Sequence, residues 1–231
     1  MYWLRRERGD ILSRSDPEVY RQVEGHAYFP IWRVALALAC CDDGDLTAAA
    51  AHVRALDEEY QRFAAFPPHG WTVSVAAMLA DACWALSPQG RLGSREDPLG
   101  GTLPGIAGAL RAILDRHAGE LVLAGWPTVL LGPAERFAGL LALAGEDFAE
   151  ALRLFDAVSG KVAAAPPHAA RLQVDRARAL IGRLSAGRAG GGRASADRDT
   201  AVRLLEQAAA TALRLGMRAL AEEAGELLAR C

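Results

Sequence analysis

The sequence predicts an all-α protein whose helices pair into hairpins and stack as a short right-handed α-solenoid. Three observations carry this reading. Of the 231 residues, 52% are hydrophobic but only 6% are aromatic, so the apolar content is mostly Ala and Leu, both strong helix formers. Alternating apolar and polar runs, the mark of a half-buried strand, are scarce. Apolar segments of helical length are separated by turns built on Gly, Pro and Asp. A chain of this length can bury a sizeable core, and residues 1–231 are read as a single domain.

The stretch from Phe137 to Val158, FAGLLALAGEDFAEALRLFDAV, sets the register. Gly139 is followed twelve residues later by Ala151, and Ala151 is followed four residues later by Phe155. Small residues at those positions let two helix backbones approach, and the aromatic fills the gap one turn on. This is the spacing of a tetratricopeptide-like helical hairpin. A weaker echo runs through Ala37, Ala49, Val53 and Leu56. Hairpins of this type cannot bury their apolar faces alone and must stack on neighbours.

Taken in order, MYWLRRERGD reads as the end of a helix closing at Gly9, so the first hairpin is incomplete. Ile11–Val23 reads as a weak helix interrupted by Asp16-Pro17. Helices are expected over Ile31–Cys41 and Leu46–Tyr60, with Gly44 ending the first and Asp45 capping the second. Trp71–Leu86 is a long apolar helix. Its partner, Pro104–His117, lies beyond a flexible insertion at 87–101, SPQGRLGSREDPLGG. Leu121–Pro133 is expected to be extended or irregular. Helices follow at Ala134–Ala144, Asp147–Gly160 and His168–Leu184. A second flexible insertion, at 185–196 (SAGRAGGGRASA), precedes helices at Thr200–Leu215 and Met217–Arg230. The last of these would cap the stack, with Glu222, Glu223 and Glu226 outward.

Several stretches together resemble one kind of region: RFAGLLALAGEDFAEALRLFDAV, the LLGPAERF before it, and the closing AVRLLEQAAATALRLGMRALAEEAGELLAR. LRRERGD and WRVALALACCDDGD extend the likeness over nearly the whole chain. The region is the C-terminal tetratricopeptide-like part of large bacterial signalling proteins, namely LuxR-type ATPase transcriptional regulators and class III adenylate/guanylate cyclases that carry an AAA-type ATPase module. The resemblance implies a non-catalytic interaction and regulatory module, a fragment of a longer protein. Any ATPase or cyclase activity would then belong to upstream domains. The two insertions exceed the short turns usual in that region. The alternative is a free-standing adaptor or peptide receptor of the same fold.

The chemistry supports a scaffold rather than an enzyme. The formal charge of −2 gives no general drive toward nucleic acid or anionic membrane. Lys161 is the sole lysine, and SGKV lacks the glycine spacing and the following Ser or Thr of a phosphate-binding loop. The histidines, His26, His52, His69, His117 and His168, show no ligand spacing. The acids around Gly44 are not arranged as a calcium loop. Cys40, Cys41, Cys83 and Cys231 form no C-x-x-C pair and read as reduced thiols. With no signal peptide and no apolar run near the ~20 residues of a membrane span, the chain is expected in the cytoplasm. No cofactor, metal or catalytic residue is expected, and the partner is expected to be a protein, a peptide or other domains of the same polypeptide. In stacked hairpins the first helix of each pair lines the concave face. The candidate partner contacts are therefore Arg33, Arg136 and Arg171, which could clamp a carboxylate or peptide backbone. The competing role for each is a salt bridge to a neighbouring acid such as Glu135 or Asp175.

Overall fold

The computed structural model describes residues 6–8, 30–63, 66, 71–90, 97–124, 129–187 and 191–231. Its helices are α1 (Pro30–Asp42), α2 (Leu46–Glu59), α3 (Thr72–Leu86), α4 (Leu103–Asp115), α5 (Ala134–Ala144), α6 (Phe148–Val162), α7 (Pro166–Ser185), α8 (Gly191–Leu215) and α9 (Arg218–Leu228). Between α4 and α5 lie two strands, β1 (Leu121–Ala124) and β2 (Val129–Pro133). The chain is predominantly helical, as expected. The expected helix over Ile11–Val23 falls outside the described residues, as do His26 and His69.

The contacts divide the chain into two compact units, one of Ile11–Gly145 and one of Met1–Asp10 with Glu146–Cys231. In the first unit α3 is the centre, packed by α1, α2, α4, α5 and β1. A helix covered from so many sides has little surface left for water, and 11 of its 15 residues are buried. The echo positions Ala37, Ala49, Val53 and Leu56 are all fully buried where α1 meets α2. In the second unit α7 is the centre, packed by α6, α8 and α9. Ala170, Val174, Ala177 and Leu180 lie on one α7 face and meet Ala201, Leu204, Leu205 and Ala208 of α8 in a continuous apolar seam. That recurrence at three and four residues is the helical period itself. Gly139 and Ala151 are both buried, but the division between units at Gly145 places them in different units.

One turn geometry recurs. Gly44 (φ 76°) precedes Asp45 (φ −81°, ψ 71°), Glu146 (φ 59°) precedes Asp147 (φ −86°, ψ 72°), and Gly216 (φ 72°) precedes Met217 (φ −83°, ψ 69°). Each pair ends in the residue that opens α2, α6 or α9. Asp45 acts as the expected cap, accepting from the amide of Ala48 at 3.0 Å, and Asp147, expected to lie inside its helix, caps it instead by accepting from Glu150 at 3.1 Å. Glycine meets the left-handed φ freely at the first position of two of these turns, and Glu146 adopts it against its preference.

One expectation is narrowed and one needs revision. Within the stretch expected to be extended or irregular, Leu121–Ala124 and Val129–Pro133 are extended, as β1 and β2 pair antiparallel with an irregularity between Val122 and Leu123. Val122 and Ala124 face inward, and the Ser74 hydroxyl of α3 donates to the Leu123 carbonyl, docking the ribbon on α3. The segment was hard to read because its apolar run is continuous and shows no alternation. The second expected insertion is largely helical: α7 runs to Ser185, and α8 begins at Gly191 rather than near Thr200. Arg183 explains part of this, since its guanidinium grips Asp197 of α8 through two bonds of 2.9 and 2.6 Å. A bidentate pair of this kind fixes the early α8 turns despite their glycines. In the first insertion the Asp97 carboxylate accepts from Leu99 N at 3.1 Å, which gives its second half an ordered turn.

Candidate interaction site

The three arginines singled out from the sequence are each engaged within the chain. Arg33, on α1, donates to Glu59 of α2 at 3.4 Å. Arg136, on α5, is 3% exposed; it lies 3.6 Å from Asp81 of α3, with its guanidinium carbon 5.0 Å from the Phe137 ring centre. Arg171, on α7, pairs with Glu7. The salt-bridging role is thus realised, with Glu59, Asp81 and Glu7 as acids. Arg136 has almost no surface to offer a partner. Arg33 and Arg171 remain half-buried with part of each side chain open to solvent. The Glu7 contact places the short N-terminal helical segment with the second unit, against α7.

Asp175 and Glu135 have other roles. Asp175 is fully buried and accepts from Arg178 at 2.7 Å, and Arg178 also pairs with Glu223 of α9. Glu135 accepts from the Gly119 amide at 2.8 Å. His168 lies in the first turn of α7, behind Pro166 and Pro167, as expected. Among the described residues no group of His, Cys, Asp or Glu is placed to hold a metal ion. No described helix is long and apolar enough to cross a membrane.

The most unusual local structure lies elsewhere, at the C-terminal end of α2. Gln61, Arg62 and Phe63 take φ values of 50°, 57° and 59° in succession. Three consecutive left-handed residues that are not glycine cost about 1–2 kcal/mol each, so surrounding contacts must hold them. The amide of Arg62 donates to the Asp57 carbonyl at 2.7 Å, and that of Gln61 to Glu58 at 3.2 Å. Phe63 and Phe66 are buried. Their rings meet edge-on at 5.6 Å, and Phe66 also meets Tyr60 at 4.7 Å and Trp71 at 5.8 Å. This aromatic cluster clamps the turn and joins α2 to α3.

The same helix end carries a partly desolvated acid. Asp57 has a buried carboxylate oxygen with no hydrogen-bond partner among the described residues. Burial raises its pKa, Arg62 lowers it, and Glu58 raises it. Cys83 of α3 lies close enough to feel both Asp57 and Cys41. Burial first, then those two groups, push its thiol up to about 12. A thiol so displaced is a poor nucleophile at neutral pH. Tyr60, hydrogen-bonded to Glu59, is pushed up by burial and by that carboxylate, with Arg33 opposing. Sequence reasoning passed over Asp57 because DEEY at a helix end reads as a solvated acidic face. Nothing in QRF announces three left-handed residues.

Chemically, the arrangement offers paired arginines, an inert thiol and a clamped helix end. No family model matches the chain, and no curated protein or solved structure matches it.

Proposed function

We propose that the chain is a tetratricopeptide-like helical-repeat module forming a short right-handed solenoid. It would serve protein interaction and regulation, without catalysis of its own, within a bacterial signal-transduction or transcription-regulating ATPase or cyclase protein. The observation that carries the reading is the recurrence of one turn geometry before α2, α6 and α9, because a repeated supersecondary unit reuses its turn. The resemblance of the LLGPAERF and GEDFAEALRLF stretches to the C-terminal region of such regulators supplies the biological context. Arg33 and Arg171 are the partner contacts this reading retains, each able to exchange its internal acid for a carboxylate on a partner.

The coding sequence upstream of Met1 tests the reading. An in-frame ATPase domain with a phosphate-binding loop is expected there. A stop codon and a ribosome-binding site directly before Met1 would overturn the signalling-protein reading and leave a free-standing adaptor.

A further inference from the structure

Two local costs coincide at the end of α2: a carboxylate with a buried, unpartnered oxygen, and three left-handed residues in a row. A helix end that carries both opens locally more easily than its neighbours, because opening hydrates the carboxylate and relaxes the backbone together. What opposes opening is the clamp of Phe63 and Phe66. Cys83, fully buried on α3, which packs against α2, lies close enough to Asp57 to feel its charge. We propose that Asp57 is a proton-operated latch: neutral, it keeps the last turn of α2 docked over α3, and ionised, it loosens that turn and uncovers Cys83.

The groups that bear on Asp57 are Arg62 and Glu58 from its own segment and Cys83 from α3, with Cys41 of α1 beside that thiol. The sign follows from burial. A carboxyl raised in the folded state favours the docked form while protonated, so docking is strongest in acid and is lost as pH rises through the raised value.

The test is the labelling rate of Cys83 in the full chain, followed by peptide mass spectrometry with a pyridyl disulfide reagent that reacts in acid as well as at neutral pH. Wild type is compared with Asp57→Asn at each pH, so that the thiolate fraction of the exposed form cancels. The wild-type rate relative to the variant is expected to rise from acid toward neutral pH and then to level off. A ratio that stays flat overturns the proposal. Arg62→Gln is the second arm and does not depend on the first variant folding. It removes the cation that favours the ionised acid, so the rise is expected at higher pH than in wild type, and an unmoved profile also overturns the latch.

Discussion

The two units are each organised around one helix, and the two central helices are surrounded differently. In the unit of residues 11–145, α3 is enclosed by four helices and a strand, and its buried surface is almost entirely Ala, Val, Leu, Met and Cys. In the other unit, α7 is flanked by three helices, and only seven of its 20 residues are buried. Its open sides carry arginines that reach across to every neighbour: Arg176 to Asp156 of α6 at 2.7 Å, Arg183 to Asp197 of α8, and Arg178 to Glu223 of α9. A fully enclosed helix cannot hold charge without a desolvation penalty. A helix with open flanks can place charge where water still screens it. The enclosed helix is not free of charge either, since Asp81 of α3 meets the buried Arg136 of α5; what differs is that α7 uses arginine pairs to reach each of its three neighbours.

If enclosure is what stabilises the first unit, the largest effect belongs to α3. Leu79 is fully buried there, and Leu79→Ala should destabilise by about 2–5 kcal/mol. Urea unfolding followed by tryptophan fluorescence reads this unit through Trp32, Trp71 and Trp84, which belong to it. An unchanged midpoint would mean that α3 is not close-packed.

A smaller effect is expected from the seam of the second unit. A Cβ at Gly182 of α7 would lie 2.3 Å from Cε1 of Phe148, the first residue of α6. Overpacking costs roughly 1–3 kcal/mol, against a helix-propensity gain of about 1 kcal/mol for Gly→Ala. Gly182→Ala should therefore lower the circular-dichroism melting temperature, and Phe148→Leu in the same chain should recover part of the loss. A stabilised single variant would show that the Phe148 ring swings aside freely.

The smallest effect sharpens the comparison most. Glu223→Gln removes one arm of Arg178 and leaves its bond to Asp175 intact. Partly exposed pairs contribute about 0–1 kcal/mol, so the melting temperature should move less than in Gly182→Ala. A larger drop would mean that charge, and not the Ala/Leu seam, holds the second unit together.

Much of the helix plan was legible because it rests on local rules. Gly44 and Asp45 announce a turn and a cap by their chemistry, and the predicted span Ala134–Ala144 matches α5. Misreadings arose where a distant partner decided the outcome. Glycines at 191 and 192 read as linker until Asp197 meets Arg183 on another helix. The β1–β2 ribbon needed α3 to dock against, through Ser74. Of the candidate site, the arginines were legible as helix residues, but their acids were not. Glu59, Asp81 and Glu7 lie far from them along the chain and meet them only through packing.

The sequence by itself determined the all-α class, the helix-starting caps and the apolar periods that bury Ala37, Val53, Leu56 and Val174, because each depends on residues within a few positions of one another. The tertiary structure alone decided which helix is enclosed, which arginine meets which acid, and that a carboxylate oxygen of Asp57 is buried without a hydrogen-bond partner among the described residues. Those outcomes depend on burial and on dielectric surroundings, which exist only once separate segments have come together.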